Sequence, residues 1–163
     1  MRRNSGFTAY ELAVTLAIVA VMATVTMPSF LSWLTAHRLR GAAINLMADM
    51  EMAKIRAIRE NTFVAVQFEA DKYRIFVDDG AGGGVDGDWI QNGSERLVID
   101  RSFPAGVSIP QMGELTLAHQ RVRFTSRGLP ADPLNANPEL IPLVNPAGRR
   151  DIGLNRLGRL WIQ

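Results

Sequence analysis

The residues that could do chemistry fall into four groups. Glu11 is a lone acid at the mouth of an uncharged stretch, Leu12 to Leu34. An unpaired charge in an apolar helix costs ~2.5–3.5 kcal/mol at mid-membrane, so Glu11 calls for a cationic partner; otherwise it is a headgroup-level acid with no role. Asp78, Asp79, Asp86 and Asp88 stand among glycines in the segment from Asp78 to Asp88. Clustered carboxylates of this kind can hold Ca²⁺ through several oxygens. The spacing is not that of an EF-hand, and acid-glycine loops are also ordinary solvated turns. Arg149, Arg150, Arg156 and Arg159 lie close together with one acid, Asp151, and Arg121, Arg123 and Arg127 precede them. From Glu69 to Asp100 there are eight acids against three bases, so charge is segregated along the chain. The arginines could bind phosphates with strong salt dependence, or pair with acids on neighbouring subunits or on the Asp loop. Finally, His37 and His119 have neither a Ser/Asp constellation nor metal-ligand spacing around them. No glycine-rich phosphate loop precedes a helix, and catalysis finds no support.

Composition narrows the classes further. With no cysteine among 163 residues, disulfides, thiolate metal sites and thiol chemistry are excluded. Hydrophobic content is 47% against 21% charge, and the excess is concentrated in the uncharged stretch. That stretch is long enough to cross a bilayer as a helix. Arg2 and Arg3 precede it and should remain cytoplasmic. A cleaved secretory signal would have a shorter apolar run and a small-residue site at its far end. Met27-Pro28-Ser29-Phe30 is a poor site of that type. A plain membrane anchor leaves Glu11 unexplained.

Beyond Leu34 the pattern becomes amphipathic. Leu39, Ala43, Leu46, Met50, Ala53 and Ala57 recur at steps of three and four, which places them on one helical face. Arg38, Arg40, Asp49, Glu51, Arg56, Arg59 and Glu60 mostly take the rest, and Asn61 is the expected end. Met47, Met50 and Met52 read as core filler. The period then changes to two. Strands are expected at 63–68, 72–77, 96–99, 107–109, 115–118, 122–125, 140–144, 152–154 and 160–162, separated by Gly, Pro and Asn. The fold class is α+β: a long N-terminal helix whose first half spans a membrane, packed on a C-terminal antiparallel β-sheet domain. The expected boundaries are a leader at 1–6, a membrane helix at 7–34, its amphipathic continuation at 35–61 and a β-domain at 62–163.

Gly6-Phe7-Thr8-Ala9-Tyr10-Glu11-Leu12 resembles the class III signal of type IV pilins and type II secretion pseudopilins. The departure is Ala9-Tyr10, where that family usually has two aliphatic residues. Ala53, Ala57 and Ile58 near the helix end, with Lys54 in place of the usual arginine, are similar to the GspH/FimT-type minor pilins. Val122 to Gly128 and Leu157-Gly158-Arg159-Leu160 resemble two further landmarks of that group. The resemblance implies a structural, non-enzymatic pilin-like protein without a cofactor, anchored once in the bacterial inner membrane with a periplasmic domain. It implies cleavage between Gly6 and Phe7 by a prepilin peptidase and N-methylation of Phe7. It implies that Glu11, then the fifth residue, pairs with the Phe7 amine of an adjacent subunit, and that Pro28 kinks the helix. The implied partners are other pilins or pseudopilins and the assembly platform of a secretion system or pilus. Some FimT-type pilins take up DNA through a basic C-terminal region, which makes DNA an alternative partner for Arg149, Arg150, Arg156 and Arg159. A third reading is an unrelated single-pass periplasmic binding protein, which needs no cut after Gly6.

Overall fold

The computed structural model describes residues 8–85, 87–110, 120–131 and 138–163. The leader and the Gly6–Phe7 junction, Asp86, the strand expected at 115–118 and His119 lie outside the described residues. The chain divides into two units, Met1–Leu34 and Thr35–Gln163. One helix, α1 (Ala9–Glu60), contributes to both.

In the first unit α1 begins with a reciprocal cap. The Thr8 backbone N–H donates to Glu11 Oε2 at 2.9 Å, and the Glu11 N–H donates to Thr8 Oγ1 at 3.2 Å. Two of the amides that a helix start leaves without partners are thereby satisfied. The hydroxyls of Thr15, Thr24, Thr26 and Ser32 donate back to carbonyls three or four residues earlier. Those polar groups are spent inside the helix, so its flank is apolar in practice as well as in composition. Pro28 lies within α1 and supplies no N–H to the preceding turn.

In the second unit α1 continues from Thr35 and buries Leu39, Ala42, Ala43, Leu46, Asp49, Met50, Ala53 and Ala57. The helix ends where Asn61 turns left-handed, with φ 51°. The Thr62 N–H then reaches back to the Ala57 carbonyl at 3.2 Å. This is a Schellman-type close, in which asparagine takes the place usually given to glycine.

Two antiparallel sheets complete this unit. The larger has the order β3-β2-β1-β4, built from β1 (Phe63–Phe68), β2 (Lys72–Asp78), β3 (Leu97–Ser102) and β4 (Arg121–Phe124). The smaller has the order β5-β6-β7, from β5 (Glu139–Asn145), β6 (Gly148–Leu154) and β7 (Leu160–Ile162). Register sets Val64 opposite Val77 and Phe124, and Val66 opposite Ile75 and Val122. Val64, Val66, Phe68, Tyr73, Ile75, Val122 and Phe124 join the helix face in one core. Ile141, Leu143, Ile152, Leu154 and Leu160 of the smaller sheet join it too.

The strands expected at 96–99 and 152–154 run longer, as Leu97–Ser102 and Gly148–Leu154, and two further expectations change. Residues 107–109 form no strand; Ser108 makes an isolated bridge to Val144, which links this stretch to the smaller sheet. Asp49 is on the buried face of α1, not the solvent face. Its place follows from helical geometry, since it sits three residues after Leu46 and four before Ala53.

Candidate assembly surfaces

Along the apolar half of α1, large side chains have no cover from the chain itself. Leu16 is 60% exposed, Val21 65% and Val25 72%. This is the one helix, among the described residues, long and apolar enough to cross a membrane. Glu11 sits at its start, its carboxylate turned back on Thr8, where Oγ1 also donates to Oε2 at 2.8 Å. The pattern Thr-x-x-Glu at Thr8 to Glu11 announces this cap in the sequence. It gives Glu11 a local task that the charge argument alone did not provide.

The buried Asp49 has two partners from the larger sheet. Tyr73 Oη donates to Asp49 Oδ2 at 2.5 Å, and Arg101 Nη1 lies 3.1 Å from the same oxygen. Burial, then the neighbouring carboxylate, pushes the Tyr73 hydroxyl well above its ordinary value of 10.0. A buried acid is tolerable only when paired and hydrogen-bonded. Here the pairing joins the helix to β2 and β3.

The acid-glycine loop folds over the outer face of the larger sheet. Asp78, fully buried, accepts from the backbone N–H of Gly87 at 2.9 Å and of Trp89 at 3.3 Å. Burial pushes its carboxyl upward despite these bonds. Glu95 accepts from Gly80 and Asn92 amides, Asp79 from Ala81, and Asp88 from Ile90 and the Asn92 side chain. The carboxylates of Asp78, Asp79 and Asp88 thus face backbone donors, and among the described residues no three acids or histidines converge on a point. Arg123 is stacked between Phe63 (4.3 Å) and Trp89 (4.9 Å), with Nη1 3.6 Å from Asp78. It is a structural cation under the loop, unlike the exposed Arg127.

The C-terminal arginines do not form one face. Arg149, Arg150, Arg156 and Arg159 are all exposed. Adjacent residues of a strand point to opposite sides of a sheet. Arg149 therefore shares the outer side with Asp151, which it meets at 2.7 Å, and Arg150 shares the inner side with Ile152. Arg156 and Arg159 lie beyond the other end of β6, at the turn into β7.

Two segments separated in sequence, around Gly128 and Gly158, meet α1 at Lys54. Its Nζ pairs with Glu51 at 2.6 Å and donates to the Gly158 carbonyl at 3.0 Å. Gly128 and Gly158 are both left-handed, with φ near +75°. A Cβ on Gly158 would stand 2.6 Å from the Gly128 carbonyl oxygen, and one on Gly128 would stand 2.7 Å from Ile58 Cδ1. Ile58 and Leu157 lie exposed beside this junction.

Comparison with known proteins agrees with the arrangement. The family described as type II transport protein GspH matches residues 42–158, which includes α1 from Ala42 onward, both sheets up to the last turn, and the Lys54 junction. Among solved structures, the type IV minor pilin FimU of Pseudomonas aeruginosa strain PAO1 is similar in fold, with a TM-score of 0.56 at 16% identity. The match covers 78% of this chain and 90% of that one. No curated protein matches. The families concerned are structural and non-enzymatic. The match over residues 42–158, which takes in most of the helix-and-sheet core, places this chain in the type II transport protein GspH family.

Proposed function

We propose that this chain is a minor pilin or pseudopilin that enters or primes a periplasmic filament of a type II secretion system or a type IV pilus. One observation carries the proposal. The apolar half of α1 has no cover from its own chain, and its few hydroxyls are bonded inward. Such a surface is stable in lipid or against other helices of its kind, and a pilin uses both in turn. The chain starts as an inner-membrane protein with Thr35–Gln163 in the periplasm, then passes to the helical core of a filament. A prepilin peptidase cuts between Gly6 and Phe7 and methylates the new amine. Glu11 neutralises the Phe7 amine of its neighbour on docking, because a buried charge without a partner is strongly unfavourable. Pro28 is the point at which α1 bends. Ile58 and Leu157, beside the Lys54 junction, offer contact surface to other pilins or to the assembly platform.

The alternative, nucleic-acid binding through the C-terminal arginines, is the weaker reading, because Arg149 and Arg150 point to opposite sides of β6 and Arg149 is paired with Asp151. Mass spectrometry of the native N-terminus tests the main proposal. The expected mature chain begins at methylated Phe7. An intact Met1, or a cut near Ser29, would overturn it.

A further inference from the structure

The end of the second unit at which α1 enters it is basic. Between Glu11 and Asp49 the chain has no acid, yet it carries Arg38 and Arg40. Arg40 follows the uncharged stretch by six residues, so the covalent chain keeps it within ~20 Å of Leu34. The β5–β6 turn is drawn to the same end, because Asn145 Nδ2 donates to the Thr35 carbonyl at 2.7 Å. Arg150 is two residues past that turn, on the helix-facing side of β6.

Arg40 and Arg150 line one groove of about 370 Å³, with Ala43, Ile44, Ile162 and Gln163 as its other walls. Neither arginine has an acidic partner within 4 Å among the described residues, whereas Arg56, Arg74, Arg96, Arg101, Arg123 and Arg149 all do. Two guanidinium groups on one groove repel each other unless an anion lies between them. Arginine is suited to this, since its planar fork matches phosphate oxygens. The apolar walls suit the glycerol and first acyl carbons of the same ligand.

We infer that this groove binds the phosphate of an anionic phospholipid, and so holds the domain against the membrane surface before assembly. The inference rests on the membrane-spanning reading of Leu12–Leu34. Anionic headgroups attract each nearby arginine by a term that falls off within a Debye length, and two arginines aimed into a shaped site add geometry to that attraction.

The test uses the full chain, purified in mild detergent and offered equal amounts of phosphatidylglycerol and phosphatidylcholine, with retained lipid read by native mass spectrometry. Wild-type chain should retain phosphatidylglycerol preferentially. R40Q/R150Q should reduce that retention about tenfold or more, while R156Q/R159Q, at the far end of β6, should not. The substituted residues are exposed, and an unchanged unfolding temperature verifies the fold. Equal retention of both lipids, or undiminished retention by R40Q/R150Q, would overturn the inference. So would displacement by low-millimolar inorganic phosphate, which would make this a general phosphate site. If R40Q/R150Q keeps the lipid but no longer co-purifies with partner pilins, the groove takes an acidic side chain of another subunit instead. Membrane fractionation of the unmodified chain separates the two readings: absence from that fraction defeats the anchor, whereas presence without lipid preference defeats only the groove.

Discussion

Lys54 and Gly158 are 104 residues apart, and the Lys54 ammonium donates to the Gly158 carbonyl at 3.0 Å. That bond fixes the β6–β7 turn on α1, and Gly128 is held in the same place by contact with Gly158. A lysine is a single flexible donor, whereas an arginine presents a planar fork. Lys54 therefore gives the junction one strong tie to the turn.

The two glycines should respond differently. Gly158→Ala places a Cβ against the Gly128 backbone, in a left-handed conformation, and nothing at that contact can rotate away. Gly128→Ala has the same backbone strain but meets the end of the Ile58 side chain, which can move. The strain term is ~1–3 kcal/mol for each. Urea unfolding of the purified chain should show Gly158→Ala as the more destabilised of the two. Equal losses would mean that the close approach at Gly158 carries no weight.

Tyr73 and Asp49 should give the fold an alkaline limit. The Tyr73 hydroxyl is a donor to Asp49 only while protonated, and its folded-state value is raised above 10.0. For a raised group, the stability gained is fully present below the unfolded value and is lost as pH rises through the folded one. Stability should therefore hold up to about pH 10 and decline above it. Tyr73→Phe should cost about 2 kcal/mol at neutral pH, the scale of a hydrogen bond to a charged group. The difference between wild type and Tyr73→Phe should shrink above pH 10 in denaturant titrations at stepped pH. A difference that stays constant would mean that Asp49 does not depend on this proton.

Two of the arginines in and beside β4, Arg123 and Arg127, separate structure from surface. Arg123→Ala removes the cation beside the buried Asp78 and the filling between Phe63 and Trp89. Leaving a buried acid without its partner costs ~3–5 kcal/mol. Arg127→Ala, at an exposed site, should change stability by less than about 0.5 kcal/mol. Thermal unfolding compares them, and Trp89 fluorescence should shift to the red only in Arg123→Ala. Similar small effects for both would remove the structural role given to Arg123.

These cases show how far the sequence could be read. The period-two strands at 63–68 and 160–162 were legible to the residue, because apolar alternation and flanking turn residues agree there. The buried stripe of α1 was legible for the same reason at period three to four. Asp49 was not, since residue type suggested solvent while its spacing from Leu46 and Ala53 put it inside; only Tyr73 and Arg101, distant in sequence, make that burial tolerable. The loop over Arg123 was illegible too, because its acids look like metal ligands or solvated turns until their amide donors are seen. The division of the strands into two sheets depends on long-range pairing that no local pattern encodes. The cap at Thr8 is readable as Thr-x-x-Glu, although the charge of Glu11 points first to a partner outside the chain.

That cap gives Glu11 two separable roles, one at the helix start and one toward an adjacent subunit. In the single chain its carboxylate completes a reciprocal cap with Thr8. Glutamine serves the same capping geometry without the charge. Loss of a cap costs ~1 kcal/mol, whereas a buried amine without its counter-ion costs several. If Glu11 acts through its charge on an adjacent subunit, Glu11→Gln and Glu11→Val should both be cleaved and stay in the membrane fraction, yet fail to enter filaments. Thr8→Val removes the cap and keeps the charge, so it should assemble nearly as well as wild type. Glu11→Asp should be intermediate, with the charge kept on a shorter reach. Insertion itself should be unimpaired in every case, because the apolar run from Leu12 suffices and removal of an acid eases entry into lipid. The measurement is recovery of each variant with sheared filaments or with partner pilins, beside a membrane-fraction control. Incorporation of Glu11→Gln together with exclusion of Thr8→Val would assign Glu11 to the helix start alone and leave the Phe7 amine to some other partner.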